Sequence, residues 1–244
     1  MQVNEQPASG KSIVKRIREV QRLVDVACRR VGRNPADVTL IAVSKTFPWE
    51  DVQPVYECGI RDFGENYMQD ALGKIALASS YEDIRWHFIG HLQRNKVRYW
   101  NRGFYLFHGL DSLDLALEMQ KKAEREDVVI RALIQVKLGD EATKSGVNPA
   151  TLPFFLEQLP NYPRLKIEGL MTIPPYGVDP EESRCYYSRL RELRDDCIVR
   201  GCVDPQVFSH LSMGMSHAYQ VAVEEGATYV RVGTAIFGPL QRRV

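Results

Sequence analysis

VTLIAVSK, residues 38–45, is an apolar run that ends in a hydroxyl and an amine. Apolar residues fill consecutive positions from Leu40 to Val43, so the run predicts a strand buried on both faces, as in a parallel sheet covered by helices. The pattern repeats downstream. A helix at Val52–Cys58 stops at Gly59, and a strand follows at Arg61–Asn66 with a helix through Lys74. Further strands are predicted at Arg85–Gly90, Phe104–Gly109, Val128–Leu138, Leu165–Thr172, Gln206–Leu211 and Thr228–Val232. The intervening helices fall at Gln93–Trp100, Leu113–Arg125, Asn148 to about Leu159, about Pro180 to Arg200, and Ser216–Glu225. Eight strands strictly alternating with helices argue for a parallel sheet, and so many repeats in one short chain suit a closed barrel.

Upstream, Ile13, Ile17, Val20, Leu23, Val24 and Ala27 recur at helical spacing within residues 11–32, and Asn34-Pro35 ends the pattern. The expectation is an α/β fold: a single (β/α)₈ TIM-type barrel over residues 11–244 with an extra N-terminal helix. Residues 1–10 form a frayed polar lead. No Gly, Pro or Ser tract divides the chain, so no linker is expected. The last strand has only the short tail or the N-terminal helix as its partner.

The 244 residues are enough to bury a core without disulfides. Thirty-two basic residues against 31 acidic leave a net charge of +1, which excludes bulk electrostatic attraction to nucleic acid or anionic membrane. Five scattered cysteines without zinc-type spacing suit free thiols in a reducing cytosol. The sequence shows neither a signal-type apolar segment nor a spanning one, so a cytoplasmic protein is expected.

Chemistry on this fold belongs at the C-terminal rim of the strands. Ser44-Lys45-Thr46, Gly64-Glu65-Asn66, Gly90-His91, Asp111, Gly139-Asp140, Met171-Thr172, Ser209-His210 with Ser212, and Gly233-Thr234 all fall there. Thr39, Ile41, Val43 and Lys45 share one face by alternation. Lys45 either points into the mouth, where desolvation frees its amine to attack a carbonyl, or snorkels to solvent. SMGMS at 212–216 and RVGT at 231–234 follow the last two strands, where barrels commonly hold phosphate, and Ser216 opens the next helix. Arg231 shares a face with Gly233. A buried arginine there needs either a structural ion pair or an acceptor such as a heteroaromatic ring nitrogen.

Three other signals carry less. EQPASGKS at 5–12 ends like a phosphate loop but lacks the first glycine and a preceding strand. His87 and His91 lie four apart across a strand end with no acidic partner in register, which does not suit zinc. The basic stretch from Trp86 to Trp100 reads as the solvated face of a barrel helix rather than an RNA contact.

AVSKT at 42–46, FGENY at 63–67, WHFIGHLQRNK at 86–96, KSG at 144–146, GLMTI at 169–173, SMGMS at 212–216 and RVGTAIFG at 231–238 together resemble the pyridoxal phosphate homeostasis proteins. These are relatives of the alanine racemase N-terminal domain, and the resemblance runs from about residue 12 to the end. It implies that Lys45 carries pyridoxal 5′-phosphate (PLP) as a Schiff base. It further implies that Ser212, Met213, Gly233 and Thr234 cradle the phosphate, that Arg231 faces the pyridine nitrogen, and that Asn66 and Met171 flank the ring. An arginine keeps that nitrogen unprotonated, which makes the ring a weaker electron sink. The related racemases add a tyrosine base from a second domain, which is not expected here. The expectation is therefore a monomeric PLP carrier or regulator without a firm catalytic activity, exchanging PLP with apo PLP-dependent enzymes. Neither nucleic acid nor membrane is an expected partner. A low-activity single-domain amino-acid racemase is the alternative, and a cofactor-free barrel that binds RNA or a protein is a more distant one.

Overall fold

A computed structural model describes residues 10–139, 145–175 and 177–239, apart from the side chains of Gly10 and Lys11. Its centre is a closed barrel in which each strand pairs in parallel with the next, and β8 returns to β1. The strands are β1 Thr39–Val43, β2 Asp62–Glu65, β3 Arg85–Phe88, β4 Phe104–Leu110, β5 Ile130–Gln135, β6 Leu165–Met171, β7 His210–Met215 and β8 Tyr229–Val232. The helices are α1 Gly10–Arg30, α2 Trp49–Glu57, α3 Met68–Leu77, α4 Leu113–Arg125, α5 Leu152–Gln158, α6 Arg184–Val199, α7 Tyr219–Glu224 and α8 Thr234–Phe237. The barrel expectation holds. The frayed lead, the Lys144 end of the KSG motif, Asp140 and the last five residues lie outside the described residues.

Alternation along each strand makes two cores. Ile41, Leu106, Leu133, Met171 and Tyr229 meet inside the barrel, while Ala42, Phe63, Phe107, Leu170 and Val232 face the helices. Polar side chains occupy the N-terminal end of the barrel. Arg131 donates two hydrogen bonds to Glu168 at 2.9 and 2.7 Å and lies over the Tyr105 ring at 4.0 Å. Arg85 grips Asp62 in the same two-pronged way at 2.7 and 2.6 Å. Planar forks of this kind let charge enter a barrel without orphaned donors.

The chain ends join at α1. Its buried stripe, Ile13, Ile17, Val20, Val24 and Ala27, packs on α7, α8 and α2. α1 thus covers the side of the barrel that the one-turn α8 leaves open. Arg16 donates to the carbonyls of Ile236 and Phe237. Arg33 donates to those of Val223 and Ala227, the latter at 2.9 Å. Both arginines therefore satisfy acceptors that helix C-termini leave unpaired.

Three elements depart from the sequence reading, each for a local reason. The strand expected at Gln206–Leu211 starts only at His210, because the Asp204 carboxylate accepts from the Gln206 N–H at 2.9 Å and holds the segment in an Asp-Pro turn. The helix expected from Ser216 starts at Tyr219. The segment Gln93–Trp100 is a 3₁₀ helix over Arg94–Tyr99 that buries Val97 and turns Arg94 and Arg98 to solvent.

Candidate functional site

The mouth of the barrel gathers the rim residues. Lys45 follows β1 and is exposed, so of the two alternatives open from the sequence the solvent-accessible amine is the one observed. The next residue, Thr46, has φ of 67°, a left-handed conformation that a β-branched residue adopts only under constraint. The constraint lies behind the strand. Glu65 points outward from β2, and its Oε1 accepts from Ser44 Oγ at 2.5 Å and Lys74 Nζ at 2.6 Å. Lys74 also donates to the Ser44 carbonyl at 2.7 Å. All three side chains are buried, so the residue before Lys45 is fastened through both its backbone and its hydroxyl. Burial pushes the Glu65 carboxyl above its ordinary pKa, and the Lys74 ammonium opposes that shift.

Asn66, at the end of β2, holds its Oδ1 buried without a hydrogen-bond partner among the described residues. A buried amide oxygen left unpaired costs about 1–3 kcal/mol, which a ligand donor at the mouth can recover. Gly90 beside it must be glycine, since a Cβ there would lie 2.3 Å from the Asn66 carbonyl oxygen. Met171 is fully buried in the inner core directly below the mouth.

Arg231 is buried beneath the rim, next to Ile41 in register. Its Nη1 donates to Ser212 Oγ at 2.6 Å and its Nη2 to the Thr172 carbonyl at 2.9 Å. No carboxylate pairs with it among the described residues. Burial pushes its pKa down to about 10, and it stays charged at neutral pH.

The structure alters two parts of the expected phosphate cradle. Ser212 and Met213 lie inside β7 rather than in a loop after it. The Ser212 hydroxyl is fully buried between Arg231 and His108, so it serves the arginine and not the mouth. Met213 turns its side chain into the outer core. The helix-start argument at Ser216 also fails, because α7 begins three residues later. Ser216 Oγ instead accepts from the N–H groups of Gly233 at 3.1 Å and Ala235 at 3.4 Å. That hydroxyl ties the end of β7 to the start of α8, so Ser216, Gly233 and Thr234 share one small-residue corner.

Sequence reasoning missed the Glu65–Lys74 clamp and a buried histidine pair, and it gave Ser216 a helix start in place of its tie to Gly233 and Ala235. His87 Nε2 lies 2.9 Å from Asp62, and His87 Nδ1 lies 2.9 Å from His108 Nε2. The alternation of His108 with Leu106 on an inward face was a legible signal. The expectation that His87 and His91 lack acidic partners is corrected: Asp62 and Asp111 lie 2.9 and 3.1 Å from them. The two point to different partners, and the described residues hold no metal-binding cluster. No helix among them is long and apolar enough to cross a membrane.

Relatives agree with this architecture. The alanine racemase N-terminal domain family matches residues 21–241. The pyridoxal phosphate homeostasis protein of Aquifex aeolicus is 44% identical over 92% of this chain and 96% of its own length. That of Pseudomonas aeruginosa is 38% identical over 93% and 95%. The structure of PipY from Synechococcus elongatus with PLP bound has a TM-score of 0.81 at 34% identity, covering 93% of this chain and all of that one. Alanine racemase from Corynebacterium glutamicum, at 16% identity and TM-score 0.66, shares the fold, and the match spans 62% of its chain. Fold and mouth together define a barrel of the alanine racemase N-terminal type, with a lysine on the rim and an arginine below it. The chain belongs to the pyridoxal phosphate homeostasis protein family.

Proposed function

We infer that this chain binds pyridoxal 5′-phosphate at the barrel mouth and serves intracellular PLP and amino-acid balance as a holder of the cofactor, with no amino-acid turnover of its own. The observation that carries the reading is Arg231, a buried cation held by Ser212 and the Thr172 carbonyl, with no carboxylate partner among the described residues, near the strand end that also carries the exposed Lys45. Family membership and the PLP-bound PipY structure support the same ligand.

The residues fit the group. Lys45 supplies the amine for a reversible covalent link to the cofactor aldehyde. Ser216, Gly233 and Thr234 supply a small-residue corner for the phosphate, and Ser212 stands behind it as the partner of Arg231. Asn66 and Met171 flank the ring, and Arg231 faces its nitrogen. When bound, PLP supplies an electron sink for carbanion chemistry, and an arginine at the ring nitrogen weakens that sink because guanidinium does not give up its proton. The protein's own groups therefore bind and orient, and Arg231 restrains chemistry. An open mouth with an accessible lysine also suits exchange with apo PLP-dependent enzymes, from a monomer in the cytoplasm.

Absorbance before and after addition of PLP tests binding. Borohydride reduction followed by peptide mapping should tag Lys45, and a tag elsewhere with Lys45 unmodified would overturn the attachment. Robust turnover of one amino acid, abolished in Lys45→Ala, would promote the weak racemase instead.

A further inference from the structure

A line of hydrogen bonds crosses the barrel interior from its N-terminal end to the mouth. Arg85 holds Asp62, Asp62 meets His87 Nε2 at 2.9 Å, and His87 Nδ1 meets His108 Nε2 at 2.9 Å. His108 Nδ1 meets Ser212 Oγ at 2.8 Å, and Ser212 Oγ meets Arg231 Nη1 at 2.6 Å. The side chains of His87, His108 and Ser212 are fully buried.

The chemistry of the groups fixes the direction of the line. The Asp62 carboxylate only accepts, so His87 carries its proton on Nε2 and leaves Nδ1 as an acceptor. His108 must then donate from Nε2 and accept at Nδ1. Ser212 gives its one O–H to that nitrogen, and a lone pair is left for Arg231. Every bond in the line is satisfied in this arrangement and in no other with neutral histidines. A proton on His108 Nδ1 would make Ser212 Oγ an acceptor from both neighbours and leave its own hydrogen without the acceptor the line provides. Burial lowers the pKa of both histidines, which keeps them neutral.

We propose that His108, acting through Ser212, is a positioning residue that orients Arg231 toward the ring nitrogen of the cofactor. The proposal rests on PLP binding at the mouth. His108 itself lies below Arg231, with Ser212 between it and the guanidinium. It sets the arginine's angle by offering Ser212 an acceptor of fixed polarity, and Asp62 sets that polarity from the far end of the barrel.

The test compares His108→Leu with His108→Asn in the full chain. Leucine removes the acceptor for Ser212, whereas the asparagine oxygen stands where Nδ1 stood. PLP titration should show about tenfold weaker binding for His108→Leu, equivalent to ~1.4 kcal/mol, with a displaced cofactor absorbance band. His108→Asn should recover both. Thermal melting of the unloaded variants separates this from lost packing, which asparagine would not repair. A wild-type band and affinity in His108→Leu would overturn the proposal, as would a His108→Asn no better than leucine. If His108→Leu does not fold, ¹⁵N spectra of histidine-labelled wild type decide: Nδ1 of His108 unprotonated and Nε2 protonated is expected, and the reverse overturns the line. No PLP band in wild type would instead overturn the reading of the site itself, and the proposal with it.

Discussion

Lowering the pH through the range of free histidine tests whether the barrel holds neutral imidazoles in its interior. His87 and His108 have folded pKa values below the ordinary 6.5, chiefly because burial penalises the imidazolium. Asp62 does not reverse this at His87, since Arg85 already neutralises it. The other groups around the pair include Tyr105, Tyr229, Ser212, Arg131, His210 and Arg231, and none of these adds a free negative charge. A base whose folded pKa is depressed binds more protons unfolded than folded. Its contribution is therefore complete above the unfolded pKa and is lost as the pH falls below about 6.5. Between about pH 7 and pH 5.5 a histidine that stays neutral throughout removes at most ~1.3 kcal/mol, so the pair removes at most about 2.5 kcal/mol. His210, partly buried and shifted in the same direction, adds to the slope. Glu65, whose carboxyl is raised, works against it. The clean quantity is the difference between wild type and His108→Asn, each unfolded in urea at both pH values and followed by circular dichroism. The variant should lose less than wild type over the interval, by at most ~1.3 kcal/mol. Equal losses in the two proteins would refute a neutral His108.

Three further outcomes follow from packing and charge. Glu65→Ala leaves the Lys74 ammonium buried without its carboxylate and should cost about 3–5 kcal/mol in urea unfolding; a change under ~1 kcal/mol would contradict the clamp. Gly214→Ala places a Cβ 2.5 Å from Ala222 Cβ at a residue with φ of 89°, so melting should fall by several degrees, and an unchanged midpoint would show that the corner yields. Arg231→Ala should weaken PLP binding in titration, with equal affinity in mutant and wild type as the contrary result.

The barrel was legible because its signal is periodic. Apolar runs such as Leu40–Val43 and helical stripes such as Ile13 to Ala27 depend on burial alone, and burial repeats with the element. The rim was legible in position, since residues at strand ends follow from strand order. Its wiring was less so. Ser212 and Ser216 sit four apart in one motif, yet one serves the interior and the other joins two chain segments. That split depends on where β7 begins, which the Asp204-Pro205 turn decides. The Glu65–Lys74 pair and the histidine line were hidden because each joins residues from different strands or helices. Their partners are set by register between elements, which no local pattern encodes.

The seam between β1 and β8 has a consequence for the order of assembly. Thr39 to Ala42 pair with Tyr229 to Val232, and α1 rests on α7 and α8. Synthesis delivers the N-terminal parts first, at about 5–20 residues per second. Lys45 therefore emerges roughly ten seconds or more before Arg231, Gly233 and the rest of the phosphate corner. A nascent or truncated chain carries Lys45 without the arginine or the corner, and its first strand waits with an open edge. On the function proposed above, tight holding of the cofactor is a property of the finished ring and not of its fragments.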